Sequence, residues 1–275
     1  MIPFFRKIRK KMADDNRPLK YMRYAIGEIV LVVIGILIAL QINNWNEAKK
    51  NYQIEQNFFR DVLDDFQKDR SEMVNNIEFY ENRIEQLRWL LYKVRHPKED
   101  VDIFEFREHI EPLYYDMPPI SYSSAFESAK SSGTFEKIKN KDILKTLTQY
   151  YTEFSEIDAL LKSTLRIIEG QLEPIMGRIP QSSIQLSSSK KVVSINQYDN
   201  TSFYELLEEI GDERDISIDL KSFIQKPEYE SYLTGDLGRS FNSIYNIKSR
   251  LELLKNIEKS IESYLNDPSL HINPE

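Results

Sequence analysis

The sequence has no cysteine and only three histidines in 275 residues. Without thiols the chain can form no disulfide framework, no thiolate metal site and no cysteine nucleophile. Three histidines leave little material for a metal site or a histidine-based triad. With 8 glycines and 11 prolines, collagen-like and low-complexity chains are also excluded. We therefore expect no catalytic, cofactor-binding or metal-binding residues, and no enzymatic activity.

Charge is distributed unevenly along the chain. The whole sequence carries −7 at pH 7 with 41% hydrophobic residues, a proportion that excludes intrinsic disorder. Residues 1–23 nevertheless hold eight basic and two acidic side chains, a net charge of +6, so the remainder carries −13. A basic arm beside an acidic body indicates that the arm meets an anionic surface, and it argues against nucleic acid as a partner of the body.

One apolar segment separates these two parts. Residues 29–40 are all apolar, and the 18 residues 25–42 are interrupted only by Glu28 and Gln41. A helix of this length extends about 27 Å, close to the thickness of the hydrocarbon layer of a bilayer. The segment lacks the polar face that a core helix of a soluble protein would show. We predict a transmembrane helix over residues 24–43.

A cleaved signal peptide is the main alternative, because a basic region precedes the apolar run. The run is longer than a typical signal-peptide core, and neither residues 38–40 nor 44–46 offer a small-residue cleavage site. The basic flank would hold the amino terminus in the cytoplasm and place residues 44–275 outside. This predicts a single-pass inner (plasma) membrane protein with a periplasmic, extracytoplasmic C-terminal domain, anchored at the interface by Trp45.

The arm of residues 1–23 has two interpretations. Phe4, Phe5, Ile8 and Met12 recur at helical spacing with basic side chains between them, which predicts a cytoplasmic amphipathic helix on the inner leaflet. A disordered positive tail that only sets the topology fits the sequence equally well.

Within the predicted span, Glu28 is the one carboxylate. We favour a structural role near headgroup water, Lys20 or Arg23 over a functional intramembrane site. Gly35 and Ala39 have the spacing of small residues at helix–helix contacts, which points to a homo-oligomer through the span and the helix that follows it.

Two motifs carry a family resemblance. The first is Tyr24-Ala-Ile-Gly-Glu-Ile with Gly35-Ile-Leu-Ile-Ala-Leu-Gln-Ile-Asn-Asn-Trp-Asn-Glu47, and the second is Ala125-Phe-Glu-Ser-Ala-Lys-Ser-Ser-Gly133 followed by Tyr150-Tyr151. The sequence resembles a family of uncharacterised single-span membrane proteins abundant in Bacteroidetes-type bacteria. The resemblance implies a bacterial envelope protein and supplies no activity.

After the span, apolar residues recur at intervals of three and four. The series 59, 63, 66, 73, 77, 80, 84, 87, 91 and 94 is interrupted only at Arg70, and it predicts a long coiled-coil-like helix that ends at His96-Pro97. We expect this helix to continue from the span unless Asn43-Asn44 interrupts it. Arg70 either sets the register through a buried carboxylate or reaches out at the edge of the bundle, and we favour the second interpretation.

The remaining patterns predict an all-α, extracytoplasmic helical bundle. A short helix begins at Asp102 and is limited by Pro112. Residues 122–132 and 142–169 form a helical hairpin, with Gly133 at the C′ position of the first helix and Gly170 closing the second.

The last third of the chain is less regular. A long loop rich in serine and proline is predicted near residues 171–200, with a short strand at 192–195 and a capping box that begins at Ser202. The final helix is predicted over residues 228–266, where Gly235 and Gly238 are candidate kinks. Its apolar stripe is expected at positions 241, 244, 247, 251, 254, 257, 261 and 264.

Several clusters have a chemical and a structural interpretation, and we favour the structural one for each. His109 with Glu105 and Glu108 lacks a second half for a metal site. Ser131 and Ser132 lack a local histidine or lysine to activate them. The stripe Tyr150, Tyr151 and Phe154 is expected in the bundle core rather than in a ligand pocket, and Asp61, Asp64 and Asp65 are expected on solvated helix faces.

The sequence thus predicts a membrane-anchored interaction or scaffolding protein of the bacterial envelope. Its expected partners are the lipid bilayer, a second copy of the chain and unknown envelope proteins. The alternative is a ligand-sensing periplasmic bundle that signals through a partner membrane protein, because the chain itself has only about 23 residues on the cytoplasmic side.

Overall fold

The computed structural model describes residues 18–117, 120–178, 209–211 and 219–267. The α-helices in this part of the chain are α1 (Pro18–Arg95), α2 (Ile103–Ile110), α3 (Ser124–Ser131), α4 (Lys141–Leu161), α5 (Ser163–Ile167), α6 (Glu173–Met176), α7 (Leu220–Ile224) and α8 (Pro227–Leu265). Two 3₁₀ turns, Glu111–Tyr114 and Thr134–Glu136, and one π-helical turn, Ile168–Leu172, complete it. The described residues contain no strand, and the all-α fold class is confirmed. The predicted amphipathic helix of the arm, the strand at 192–195 and the capping box at Ser202 lie outside the described residues.

Helix α1 is the longest element, with 78 residues. At about 1.5 Å per residue it is roughly 117 Å long. It begins at Pro18, whose fixed φ suits a first helical position, and it ends just before His96-Pro97. Asn43-Asn44 does not interrupt it, so the predicted continuity between the apolar segment and the following helix is confirmed.

Helix α8 runs antiparallel to the second part of α1. The ring centroids of Phe59 and Tyr264 are 5.5 Å apart, and Arg95 donates to Glu230 over 2.8 Å. Residue numbers on α8 therefore fall as those on α1 rise. The remaining helices pack around this pair and complete the bundle.

The bundle interior consists of two apolar clusters. The proximal cluster lies toward the apolar segment of α1 and is built by α1, α3, α4 and the C-terminal part of α8; among its members are Phe59, Val62, Phe66, Tyr80, Phe126, Leu147, Tyr150, Leu254 and Ile261. The distal cluster contains the end of α1 with α2, α5 to α7 and the start of α8; among its members are Leu87, Leu90, Phe106, Ile110, Leu172, Phe223, Tyr229 and Leu233.

The buried stripe of α1 differs in part from the predicted one. Positions 59, 66, 73, 80, 87 and 94 are buried as expected, but the alternate buried positions are 62, 69, 76, 83 and 90. The residues at 63, 77 and 84 are only half-buried, and Leu91 is buried beside the stripe. The alternate positions of the buried stripe were predicted incorrectly because Asp69, Asn76 and Arg83 are polar. A search for apolar residues does not count them.

The buried face of α8 was also predicted only in part. The predicted core residue Phe241 is 58% exposed, while the polar Asp236, Ser240, Ser243 and Arg250 are buried. Positions 247, 254, 257 and 261 are buried as predicted. Gly235 and Gly238 do not break the helix, which is continuous over 39 residues.

The helix predicted over residues 142–169 is interrupted in the structure and extends further. It breaks after Leu161, and Gly170 lies within the π-helical turn rather than at a helix end. The chain remains helical to Met176, so residues 171–176 do not belong to the predicted loop, and residues 179–200 lie outside the described residues. The π turn accommodates one extra residue. Just before it, Ile167 is buried, whereas Leu165 is 43% exposed.

Other helix ends were predicted correctly. Asp102 caps α2 by accepting from the amides of Phe104 and Glu105. The hairpin between α3 and α4 is present, and Gly133 has a φ of 71°, the left-handed conformation expected after a helix end. Phe126 packs on Tyr151 with centroids 4.6 Å apart, which joins the two arms of the hairpin.

Candidate functional site

The first candidate site is the exposed apolar segment of α1, residues 25–42, which we call the span. Its Ile, Leu and Val side chains are between 47% and 72% exposed, and none of its most apolar window is buried. Burying such a surface is favourable by about 25 cal/mol for each Å². A helix of this length and composition is long and apolar enough to cross a membrane.

The residues that follow the span have the character of a membrane interface. Trp45 is 54% exposed, and the Nζ atom of Lys49 lies 5.6 Å from the centre of its ring. An aromatic ring with a lysine is typical of the headgroup region. Glu28, near the other end of the span, is half-buried.

The span is joined to the bundle without a hinge. Buried residues of α1 begin at Glu55 and Gln56, and the intervening residues 43–54 are all helical. They extend for roughly 18 Å. Because the same helix also forms one side of both apolar clusters, a tilt or rotation of the span must move the bundle.

Along the bundle, three carboxylates of α1 accept backbone amide donors from the α3–α4 region. Glu55 accepts from the amide of Asn140 over 2.9 Å. Asp65 accepts from the amide of Ala125 over 2.9 Å and from the hydroxyl of Ser124, at the N-terminus of α3. Negative charge is favourable there because of the helix dipole. The expectation that Asp65 lies on a solvated face was therefore wrong.

Asp69 lies at the centre of a buried polar network. It accepts hydrogen bonds from the hydroxyl of Tyr150 over 2.9 Å, from the hydroxyl of Ser121 and from the amide of Tyr122. Arg250 of α8 donates to the carbonyl of Tyr150 over 2.9 Å, and its guanidinium carbon lies 3.7 Å from the centre of the Tyr150 ring.

Burial dominates the electrostatics of this network. It raises the pKa of Asp69, although the hydrogen bonds of Tyr122 and Tyr150 and the charge of Arg250 oppose that rise. Burial likewise raises the pKa of Tyr150 and lowers that of Arg250. Tyr150 belongs to the core as predicted, and it joins α4 to both α1 and α8.

A second buried polar network lies between the two apolar clusters. The Nε and Nη2 atoms of Arg83 donate to the two carboxylate oxygens of Asp236, over 2.9 and 2.6 Å. Arg83 also donates to the carbonyls of Leu113 and Tyr115, and Tyr232 donates to Asp236 over 2.8 Å. The side chains of Arg83 and Asp236 are 1% and 0% exposed, so this is a fully buried, bidentate ion pair.

Neither of these two buried polar networks was predicted from the sequence. The sequence does repeat polar residues at positions 69, 76 and 83, every seventh residue of α1, but this spacing does not distinguish a buried polar position from a solvated one. Arg70, which was predicted, is 43% exposed at the bundle edge and pairs there with Glu258. The preferred interpretation of an edge position is supported, and the pairing with a carboxylate occurs as well.

The other sequence candidates take structural places. His109 stacks on Trp89 with ring centroids 4.0 Å apart, and its Nδ1 atom contacts the side chain of Gln86. Ser131 donates to the carbonyl of Ser128 within its own helix. Among the described residues no three His, Asp or Glu side chains are grouped so as to hold a metal ion.

The described residues define a class of protein: an all-helical chain in which one helix carries both a segment able to span a membrane and one side of a bundle. Residues 28–154 match a family described as Family of unknown function (DUF6090). The matched range contains the second sequence motif and most of the first. No curated protein and no solved structure matches the chain.

Proposed function

We propose that this protein is a single-pass scaffold of a bacterial envelope, in which α1 fixes a helical interaction domain at the membrane surface. The observation that supports the proposal best is the continuity of α1 from the exposed span into the core of the bundle. A scaffold needs a fixed distance and orientation relative to its membrane, and an unbroken helix provides both.

The proposed topology places the amino terminus in the cytoplasm and the bundle outside the inner membrane. The basic residues before the span support it, because positive charge is retained on the cytoplasmic side. The resemblance to Bacteroidetes-type membrane proteins fits an envelope location.

Reporter fusions test this topology directly. Alkaline phosphatase fused after Glu275 is expected to be active, since it folds only outside the cytoplasm, and a fluorescent protein that folds only in the cytosol is expected to stay dark. The opposite pair of results would reverse the topology. A mature protein that begins after Trp45 would show that the span is a cleaved signal peptide.

Contacts of the scaffold with other envelope proteins are proposed on the outer face of α8. Phe241 and Tyr245 lie one turn apart on this face and are 58% and 72% exposed. Aromatic side chains are enriched at protein–protein interfaces relative to the rest of the surface. The polar networks described above bind helices of this chain to one another, which supports a structural role for them rather than catalysis.

Site-specific photo-crosslinking in intact cells tests the scaffold role. A photoreactive residue at position 245 is expected to give reproducible adducts with envelope proteins. The same residue at Glu85, which is exposed and polar on α1 and faces away from α8, is expected to give few. Equal labelling at the two positions would contradict the proposal. A thermal shift with one small-molecule class, in the absence of adducts, would favour the ligand-sensing alternative.

A further inference from the structure

The turn between α3 and α4 lies at the end of the bundle nearest the span. The amide of Asn140 donates to Glu55, and the ring of Phe135 lies 6.1 Å from that of Phe58. Glu55 and Phe58 belong to the first buried turn of α1. We call residues 130–145 the basic hairpin because this segment is rich in lysine.

The basic hairpin is positively charged in an otherwise acidic body. It contains five exposed lysines against Glu136 and Asp142, a net charge of +3; the lysines are Lys130, Lys137, Lys139, Lys141 and Lys145. Two more exposed lysines, Lys49 and Lys50, precede it on α1.

The opposite end of the bundle has the opposite sign. The connection from α1 into α2 and its 3₁₀ turn, residues 96–111, holds six acidic and two basic side chains, a net charge of −4. The net charge therefore changes from +3 at the basic hairpin to −4 at this connection, and the positive segment is the one nearer the span. A surface of negative charge attracts that end and repels the other.

The distances allow the positive end to reach a membrane surface. Glu55 lies 13 residues beyond Ile42, or roughly 20 Å along the helix. The headgroup layer on one side accounts for about 5–8 Å of this, and each lysine stem carries its ammonium group further toward the lipid. A tilt of about 20°, the average for membrane helices, lowers the hairpin again when the helix leans to its side.

We propose that the basic hairpin docks on the anionic phospholipid headgroups of the leaflet that faces the bundle, and so fixes the direction in which the bundle leans. This inference rests on the membrane anchoring proposed above. The span holds the protein in the bilayer, and the lysines of the hairpin select one tilt among those that the span permits. Each basic residue near an anionic surface strengthens the attraction about fivefold.

Energy transfer in lipid nanodiscs tests the proposal on the full chain. Because the sequence has no cysteine, Ser131→Cys allows a single donor label in the hairpin, and Ser231→Cys allows one at the far end of the bundle. The acceptor is attached to lipid headgroups. Discs of phosphatidylcholine alone are compared with discs that also contain phosphatidylglycerol, at low and high salt.

The expected result is higher transfer from position 131 in the anionic discs than in the neutral discs, with the excess lost at high salt. Position 231 is expected to show no increase. Lys137→Glu with Lys145→Glu is expected to reduce the docked fraction at least about tenfold. The matched pair Lys98→Glu with Lys221→Glu makes the same change in net charge at the far end, and it is expected to leave the transfer unchanged.

The possible failures are distinguishable. A chain that does not remain with the discs would overturn the membrane anchoring itself. A chain that inserts but gives equal transfer in both lipids would overturn the docking of the hairpin and leave the anchoring intact. Equal losses from the two charge-reversed pairs would attribute the effect to net charge, which also contradicts a role for the hairpin.

Discussion

Charged side chains determine how the two long helices of the bundle meet. Arg83 and Asp236 lie between the proximal and distal clusters, and each hydrogen bond between them requires one relative position of α1 and α8. Sliding α8 by one turn would leave both charges buried without a partner. A buried ion pair adds little net stability compared with an apolar pair, but it penalises every other register.

This role predicts the cost of removing one partner. Arg83→Met is expected to lower the free energy of unfolding by about 3–5 kcal/mol, because it leaves the carboxylate of Asp236 buried without its counter-ion. Arg83→Met combined with Asp236→Leu is expected to cost less than Arg83→Met alone. Chemical denaturation of the detergent-solubilised chain, followed by circular dichroism, measures both values.

The control is an ion pair at the surface. Glu81 accepts from Lys248 over 3.0 Å, and both side chains are more than half exposed. Glu81→Gln is expected to cost less than about 1 kcal/mol. Similar losses at the buried and exposed pairs would contradict the proposed role of Arg83 in setting the register.

Asp69 predicts a pH dependence. Burial raises its pKa in the folded protein, so the folded protein binds this proton more tightly than the unfolded chain. Its contribution to stability is complete below the ordinary aspartate pKa of about 3.9 and is lost as the pH rises through the raised pKa. The stability advantage of the natural chain over Asp69→Asn is therefore expected to be greater at pH 4 than at pH 7.

Unfolding midpoints at the two pH values measure this difference. Asp61→Asn, on the exposed side of the same helix, is the matched change of carboxylate to amide, and its effect is expected to vary less. An advantage that increases with pH would mean that the pKa of Asp69 is lowered rather than raised.

The sequence alone could not identify these residues as buried. The periodicity of apolar residues identifies only the apolar positions of a buried stripe. Positions 59, 66, 73, 80, 87 and 94 of α1 were predicted correctly for that reason. Asp69 and Arg83 become acceptable inside the protein only because partners from α4 and α8, 81 and 153 residues away, reach them. That pairing depends on the tertiary structure and has no local pattern.

At the level of helices and turns, the local signals were dependable. Asp102, Gly133 and Pro97 mark helix boundaries because caps, left-handed residues and missing amides act within a single turn of chain. The π-helical turn at 168–172 has no comparable signal. Gly170 predicts a helix end by its conformational freedom, but the surrounding packing of Ile168 and Leu172 keeps the chain helical through it.

Two glycines give a matched test of this reasoning. Gly133→Ala is expected to destabilise the protein by about 1–2 kcal/mol, because an alanine is strained at a φ of 71°. Gly238→Ala is expected to stabilise it by up to about 1 kcal/mol, since the position is helical and its added methyl group meets no atom within 4 Å. Thermal unfolding of the two variants measures both effects, and the same sign for both would contradict the assignment.

At the scale of the whole molecule, one helix links two environments. The buried stripe of α1 packs against α8 of the same chain. Most heptad positions of α1 beyond Glu55 are therefore buried inside the bundle and cannot contact a second copy. A contact between two copies through α1 is therefore proposed for the span. Gly35 has no neighbour within 4 Å of an added Cβ, and with Ala39 it forms a small-residue face on which a second helix can approach closely.

Disulfide crosslinking tests whether this face joins two copies, because the natural chain has no cysteine to interfere. Ile42 lies seven residues from Gly35 on the same face, and Leu37 lies on the opposite face. Ile42→Cys is expected to form crosslinked dimers in membranes, and Leu37→Cys is expected to form far fewer. Adding Gly35→Leu to Ile42→Cys is expected to reduce the dimer several-fold, since the larger side chain separates the helix backbones. Equal crosslinking from both faces would show that the helices meet by random collision in the bilayer, which would contradict the proposed dimer.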